Sequence, residues 1–174
     1  MKIQNLKTGR FYFLVRADEI NATEANHNTI CSICNEPEVY SSLFASSLGG
    51  QPYPIEKAKG FLEWAIQGWR DRTHFVFLIT DEAGAVCGAA DIKSNNLEGA
   101  EIGYWASKAH AGIATPAVTA LLGVAQSMGF QILSAYVKKS NPRSVAVLER
   151  NGFVSTAIAD LVRAETHLRF QRRL

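Results

Sequence analysis

The chain has 174 residues, a length that fits one folded domain. Hydrophobic residues make up 47% and charged residues 20%, which is an ordinary globular composition and excludes a disordered chain. The formal net charge is only +2 and the basic residues are scattered, so nothing indicates a nucleic-acid-binding surface.

The first half of the chain predicts one strand followed by three helices. An aromatic and branched run predicts the strand, and Pro37 marks the end of the first helix because a residue before proline is biased away from helix. Trp64 lies opposite the apolar stripe of the third helix. It is interpreted as part of a second packing surface, as a wall of a substrate pocket or as a dimer contact. The predicted elements are a strand over 11–15, helices from 17 to about 34, over 38–46 and over 56–70, and an irregular segment over 48–54.

The three cysteines are an odd number, which argues against a disulfide framework. Cys31 and Cys34 form a C-x-x-C pair, but a second ligand pair at metal spacing is missing. Their spacing within a helix favours packing over redox or metal chemistry, and Cys87 in an apolar strand is expected to be buried and inert. The sequence predicts no metal.

The second half alternates strands with helices. Thr115 is predicted to be the N-cap of one helix, with Gly129 just after its end, and Asn141 is predicted to cap the next helix. The predicted elements are strands over 74–80, 85–92 and 100–105, a helix over 115–128, a strand over 132–137, a helix between 141 and 151, and strands over 153–158 and 164–170. One mixed α/β sheet with helices on both faces accommodates this order.

The basic end of the chain contains Arg169, Arg172 and Arg173. We interpret it as a solvated strand edge in preference to a binding patch. The start, from Met1 to Leu6, is polar and lacks the apolar core of a signal peptide, and no run of about 18 apolar residues exists. We therefore expect a cytoplasmic protein, one domain over residues 1–174, with neither a membrane nor a nucleic acid as partner.

Two helix starts are candidates for ligand binding. Small residues surround the first, at Gly112, and the free N–H groups of a helix start suit an anionic phosphate when side chains leave room. Asn141 and Ser144 mark the second. Both follow strands, and α/β sheets bind ligands where neighbouring strand ends separate.

Several segments carry a family resemblance when they are taken together. They are Glu101-Ile102-Gly103-Tyr104-Trp105, the Gly112-Ile113-Ala114-Thr115 helix start, and Asn141-x-x-Ser144 followed by Leu148-Glu149-Arg150-Asn151-Gly152-Phe153. With the order of elements, they resemble the GNAT N-acetyltransferases, most closely the RimJ/RimL-type branch that acetylates ribosomal-protein N-termini and related amines. The resemblance covers about residues 12–170 and implies a central, mostly antiparallel mixed sheet with helices on both faces.

The resemblance also implies a co-substrate, acetyl-CoA, and a role for each matched position. Strand residues Ile102 to Trp105, among them Tyr104, would pair with the pantetheine arm. Amides from about Ala111 through Gly112, Ile113 and Ala114 to Thr115 would cradle the pyrophosphate. Asn141 and Ser144 would contact pantetheine or the reacting end, and Arg150 would lie near the CoA phosphates.

Two departures from the family pattern stand out. Ala109 occupies the position where the pyrophosphate loop usually has Gln or Arg, and the segment between Trp105 and Gly112 is about two residues short. A shorter loop offers fewer amides to the phosphates, and each lost charge-assisted hydrogen bond costs roughly 1.5–3 kcal/mol. Leu148 stands where many members have a general-acid Tyr, although the RimJ/RimL-type branch often lacks that Tyr too.

The predicted reaction is direct attack of a neutral amine on the thioester. Glu101 is the candidate base, because a carboxylate at the cofactor end of its strand accepts the amine proton; a solvent-facing Glu or a structural ion pair is the alternative. Gly103 marks a bulge or a close backbone approach. Ser144 is a candidate hydrogen-bond donor to the departing thiolate, with a helix cap as its alternative, and His110 is more simply a loop-surface residue.

The acceptor is not defined by the sequence. Protein N-termini and small amines both fit, as does a monomer or a homodimer. The alternative function is a degenerate member that senses CoA, or serves as a non-catalytic interaction module, because its pyrophosphate loop is short.

Overall fold

The computed structural model of the protein describes residues 1–158 and 161–174. Within these residues, eight strands form a single sheet that takes in both ends of the chain. The strands are β1 (Lys2–Gln4), β2 (Phe11–Arg16), β3 (Phe75–Thr80), β4 (Val86–Ile92), β5 (Ala100–Ala106), β6 (Ile132–Lys138), β7 (Val154–Thr156) and β8 (His167–Arg173). The helices are α1 (Glu24–Cys34), α2 (Pro37–Leu43), α3 (Ile55–Asp71), α4 (Ala114–Ser127), α5 (Pro142–Arg150) and α6 (Leu161–Thr166).

The strand order is β1-β2-β3-β4-β5-β6-β8-β7. The β5–β6 pair is parallel and the other neighbours are antiparallel. The predicted mixed, mostly antiparallel sheet is therefore confirmed. The parallel pair is central to the site because its two strands point their carboxyl ends toward the same edge of the sheet.

Helices cover both faces of the sheet, as predicted. On one face, which we call the α4 face, residues of α4 and α5 such as Leu121 and Leu148 pack against the sheet in one core. On the other, which we call the α3 face, residues of α1 and α3 such as Ile30 and Leu62 pack in a second core. Side chains alternate along a strand, so each strand residue belongs to one of the two faces.

Several element boundaries differ from the predictions for local reasons. The first helix begins at Glu24 and not at residue 17, because Thr23 caps it by accepting from Asn26 N; a short 3₁₀ turn occupies Ala17–Glu19. Pro37 does not end a helix but begins α2, in the first-turn position that suits proline. The predicted strand over 153–158 is reduced to three residues, and β8 begins later than predicted, at His167.

The two chain ends also differ from the predictions. The polar start forms strand β1, and the terminal ammonium of Met1 donates to Leu14 O. The last strand, β8, lies between β6 and β7 in the sheet, so the prediction of a strand edge is wrong for Arg169, which pairs with Thr156. Arg172 and Arg173 pair with β6 and lie beyond the β7 ladder, which ends at Gln171. Arg172 also donates through Nη1 to Asn151 O, at the end of α5.

Trp64 on α3 packs on His74, the residue before strand β3. The two rings stack with centroids 4.0 Å apart, and His74 Nε2 lies 2.9 Å from Trp64 O. Trp64 remains 43% exposed while His74 is 9% exposed. One face of the Trp64 ring therefore packs within the protein, which agrees with the packing interpretation. His74 is a buried structural residue.

Cys34 and Cys87 are buried, and Cys31 is half-buried. Burial raises the pKa of the Cys34 thiol to about 12 and that of the Cys87 thiol to about 11, so both are protonated and unreactive. Cys31 donates to Tyr53 O at 3.2 Å. Within the described ranges no group of three or more His, Cys, Asp or Glu side chains is placed to hold a metal ion. Among the helices described, none is long and apolar enough to cross a bilayer.

Candidate active site

The parallel strands β5 and β6 separate after two residues. Their ladder contains Ala100 with Leu133 and Glu101 with Ser134, although β5 and β6 both continue beyond it. A V-shaped gap follows, which we call the splay, between residues 102–106 of β5 and 135–138 of β6. The predicted separation of neighbouring strand ends is present at this position.

Backbone polar groups of β5 point into the splay. The carbonyl of Glu101 accepts from the N–H of Lys93, the residue after β4. Because backbone groups alternate in direction along a strand, the N–H and C=O groups of Glu101, Gly103 and Trp105 face β4 in the antiparallel pair. The alternate residues Tyr104 and Ala106 direct theirs toward β6, beyond the end of the ladder. These groups have no strand partner and are free to bond a ligand that lies along β5.

Gly103 accommodates a close approach and not a bulge. The register of β4 with β5 is regular, and the sheet's register shift lies at Ile79 between β3 and β4. A Cβ at Gly103 would stand 2.9 Å from Asp91 Oδ1. The bulge alternative is therefore wrong, and the approaching group is a buried carboxylate.

Helix α4 begins without a side-chain cap. Its N-cap is Ile113, whose side chain is fully buried, and its first residue is Ala114. The predicted N-cap role of Thr115 is therefore wrong. The amides of Ala111 and Ile113 already bond carbonyls of the preceding turn. Those of Gly112, Ala114 and Thr115 have no acceptor among the described residues, so three free N–H groups stand at a positive helix end.

The N-terminal hairpin and β2 fix the loop before α4. Asn5 is 2% exposed and donates through Nδ2 to Ala111 O at 3.2 Å. Tyr12 Oη and His110 Nδ1 lie 2.9 Å apart, with the two rings edge to face. His110 thus holds the loop against β2, and it is not the loop-surface residue that the sequence indicated. The loop has a defined shape although it is short.

Helix α2 bridges the open end of the splay. It is tied to the segment after β5 on one side and to the end of β6 and the start of α5 on the other. The contacts that tie it are Glu36 with Ser107 Oγ (2.6 Å) and Lys108 N (2.7 Å), Glu38 with Lys108 (2.9 Å) and Arg143 (3.7 Å), and Lys138 Nζ with Ser41 O (2.7 Å). The hydrogen bond from Lys108 lowers the pKa of the Glu38 carboxyl.

Helix α5 begins with a side-chain cap, as predicted. Asn141 Oδ1 accepts from Ser144 N at 3.1 Å, and Asn141 Nδ2 donates to Ser42 Oγ at 3.2 Å. Ser144 is therefore a capped residue and not the cap itself. Its hydroxyl lies 2.6 Å from Tyr104 Oη. Burial raises the pKa of the Tyr104 phenol to about 12, so the phenol keeps its proton at neutral pH and remains a donor beside the splay.

Glu101 lies on the α3 face with Gly103 and Trp105, as predicted from strand alternation. Its carboxylate pairs with Lys93 Nζ at 2.5 Å. Asp91 lies on the same face, is 8% exposed, and has its Oδ1 buried without a hydrogen-bond partner. Burial raises the pKa of the Asp91 carboxyl to about 6. Two carboxylates therefore share the α3 face of β4 and β5 around one lysine.

Arg150 lies on the last turn of α5, exposed, away from the pair at the start of that helix. The next residue, Asn151, reaches the first turns of α4: its Nδ2 donates to Thr115 O at 3.3 Å and its Oδ1 accepts from Thr119 Oγ1 at 2.7 Å. Arg150 also lines a cavity of about 620 Å³ together with Arg172 and other residues. The structure thus places Arg150 where α5 ends against the beginning of α4.

A family model for the acetyltransferase (GNAT) domain matches residues 20–154, which is most of the chain. The chain belongs to the GNAT acetyltransferase family. The prediction of an acetyl-CoA-dependent N-acetyltransferase is confirmed at the level of the family. No match was found among curated proteins.

Solved structures of acetyltransferases share the fold of this GNAT chain. The RimL ribosomal alpha-N-protein acetyltransferase in complex with coenzyme A is 16% identical, covers 100% of this chain and 98% of its own, and gives a TM-score of 0.76. Mycobacterium smegmatis RimJ in complex with CoA-disulfide is 18% identical, with coverage of 99% and 86% and a TM-score of 0.74. The microcin self-immunity acetyltransferase MccE, in complex with acetyl-CoA and AMP, is 15% identical, with coverage of 94% and 92% and a TM-score of 0.70.

The site includes residues that sequence reasoning did not assign. Asn5 and Glu36 hold the loop before α4 from distant parts of the chain, and no local pattern reveals such contacts. The Tyr104 side chain bonds Ser144, although only a backbone role was predicted for Tyr104. Asn151 lies inside the Leu148–Phe153 motif, and its position before Gly152 at a predicted helix end was the available signal; the structure shows that it is buried.

Proposed function

We propose that the splay of this GNAT protein holds acetyl-CoA with its diphosphate at the start of α4 and its thioester beside β5. The free amides of Gly112, Ala114 and Thr115 support the diphosphate contact. The backbone groups of Tyr104 and Ala106 supply partners for the amides of the pantetheine arm. Arg150, beside the Asn151 contact with α4, adds a positive charge toward the CoA phosphates.

The acceptor amine approaches from the α3 face, where Glu101 lies. Near pH 7 most amines are protonated and lack the lone pair needed for attack. Glu101 takes the proton of the ammonium, directly or through water, and the amine nitrogen then attacks the thioester carbonyl carbon. The C–S bond breaks as the C–N bond forms, and the electron pair leaves on the sulfur. The nitrogen then releases its second proton, which the thiolate takes up to become the free thiol. The Tyr104 amide supports the carbonyl oxygen.

The departing sulfur needs a proton or a hydrogen bond. Tyr104 and Ser144 carry hydroxyls 2.6 Å apart on β5 and α5, at the edge of the splay. This pair supplies the hydrogen bond, in place of the general-acid Tyr that Leu148 replaces. Leu148 itself is fully buried and takes no part.

One observation carries the proposal: the β5–β6 ladder ends at Glu101, and the backbone groups beyond it, with the amides of Gly112, Ala114 and Thr115, lack partners among the described residues. Buried or half-buried backbone groups are nearly always bonded, so an elongated ligand with amides at one end and phosphates at the other fits this set. The rival, a non-catalytic member, rests on the short loop, but the Asn5 and Glu36 contacts give that loop a fixed shape.

The acceptor that we propose is a primary amine, of a protein N-terminus or of a small molecule; the fold shared with RimL and RimJ supports this class. We also propose one catalytic domain over residues 1–174, acting as a monomer or homodimer. The free cysteines agree with a reducing, cytoplasmic compartment.

The decisive experiment pairs Glu101→Gln with the control Glu98→Gln, which alters an exposed carboxylate three residues upstream. Thiol release from acetyl-CoA with an amine panel measures turnover, and calorimetry measures acetyl-CoA affinity. Glu101→Gln should lower kcat on the order of 100-fold, because base catalysis contributes at least that much, with affinity nearly intact. Unchanged turnover would remove Glu101 from the base role, and absence of acetyl-CoA binding in the parent protein would overturn the donor site.

A further inference from the structure

Arg169 on β8 has no side-chain partner among the residues that the structure describes. Its Nε atom is buried without a hydrogen bond, and its guanidinium makes no ion pair or hydrogen bond with any part of the chain that the structure describes. Thr156 is its cross-strand neighbour on β7, and Thr156 Oγ1 is also buried without a partner. Two hydrogen-bond donors, one of them charged, are therefore unsatisfied side by side. Partly buried cations are normally paired, so the position fits an anionic ligand.

Strand alternation places Arg169 on the acceptor side of the sheet. Its neighbours Leu168 and Phe170 pack in the core of the α4 face, so Arg169 belongs to the α3 face. Trp105 packs in the core of the α3 face, and Glu101 shares its side of β5. Arg169 and the proposed base therefore lie on the same surface, opposite the face on which the start of α4 stands.

The charges on this surface are divided by the splay. Asp91 and Glu101 stand on β4 and β5, on one side. Lys138 and Arg169 stand on β6 and β8, on the other. β5 and β8 are two strands apart, which is about 10 Å at ordinary strand spacing and more where the splay widens the gap between β5 and β6. An acceptor with an ammonium directed to β5 and an anion directed to β8 matches both halves.

We propose that Arg169, with the Thr156 hydroxyl, binds an anionic group of the acceptor, so that the preferred substrates are small amines that also carry a carboxylate or a phosphate. The inference rests on the proposed function, because the amine end is positioned by Glu101. Neutral amines leave Arg169 unpaired, and polyamines place a second cation near it. Both are therefore poor acceptors.

The test compares matched amines that differ in the anion. γ-Aminobutyrate is paired with n-butylamine, and O-phosphoethanolamine with ethanolamine, which separates carboxylate from phosphate. We expect kcat/KM to favour the anionic member at least tenfold in one pair. Arg169→Met should reduce that ratio toward one, while Arg173→Met, an exposed arginine on the same side of β8, should preserve it. Equal use of neutral and anionic amines, or a ratio unchanged in Arg169→Met, would overturn the inference.

A binding measurement separates this inference from the proposed function. The same anionic amines at millimolar concentration, without acetyl-CoA, should raise the Tm of the parent protein but not that of Arg169→Met. Arg169→Met removes an unpaired charge, so its own Tm should not fall, and Arg169→Gln serves as a second variant. Thiol release without Arg169 dependence would refute the anion site alone, whereas an Arg169-dependent Tm shift without thiol release would refute the catalytic proposal alone.

Discussion

The starts of α4 and α5 both face the splay, but they are built in opposite ways. α5 carries its own cap, Asn141, whose side chain bonds the amide of Ser144. α4 begins at the buried Ile113 and leaves the amides of Gly112, Ala114 and Thr115 without acceptors in the described part of the chain. A helix that satisfies its own first amides needs no ligand, whereas one that leaves them free offers them to an anion. The contrast indicates that α4, and not α5, binds the diphosphate.

The largest effect is expected at Gly112, where the uncapped start is formed. Its φ of +108° is unfavourable for other residues, and a Cβ would stand 2.5 Å from Asn5 Oδ1. Gly112→Ala should lower the free energy of unfolding by about 2–3 kcal/mol. It should also weaken acetyl-CoA binding at least tenfold, because the loop must shift. Thermal unfolding and calorimetry measure the two effects.

Gly123→Ala is the matched control for this variant. Gly123 lies inside α4, exposed, with open space around it. Replacing it should stabilise the protein by about 0.5–1 kcal/mol through helix propensity, and acetyl-CoA affinity should be retained. If Gly112→Ala kept full affinity, the free amides of α4 would not be the diphosphate site.

The difference between the two starts also explains what the sequence could predict. Asn141-Pro142 is a local signal, and the capped start of α5 followed from it directly. Thr115-Pro116 carries the same signal, yet α4 begins earlier, because Ile113 is drawn into the core and Asn5 holds the preceding loop. Local chemistry therefore predicted elements and motif positions, including Glu101 and its face. The contacts of Asn5, Glu36 and Arg169 depend on strand order, which sequence patterns do not specify.

A smaller effect is expected at Asp91, a buried carboxylate left without a full set of partners. Burial raises its pKa to about 6, with Glu101 adding to the shift and Lys93 and His74 opposing it. In the unfolded chain the pKa lies near 4. Between these values the folded state binds more protons, so the Asp91 contribution to stability falls as pH rises from about 4 to about 6 and then levels off.

Asp91→Asn removes this titration. The variant should be more stable than the parent at pH 7 by roughly 2 kcal/mol, with the difference disappearing below about pH 4. Urea unfolding at several pH values measures it. A difference that does not change with pH would contradict the raised pKa of Asp91 and show that its carboxylate is satisfied in solution.

The smallest effect is expected at Asn141, because a helix cap is worth about 1 kcal/mol. Asn141→Ala should lower the Tm by several degrees, and Asn141→Ser should restore most of it, since serine also accepts from the third amide of the helix. The loss of acetyl-CoA affinity in Asn141→Ala should be smaller than in Gly112→Ala, because Ser144 and Tyr104 still hold α5 to β5. If Asn141→Ala instead left the Tm unchanged and abolished acetyl-CoA binding, the contrast between the two starts would be reversed: Asn141 would serve the ligand, and the free amides of α4 would need another explanation.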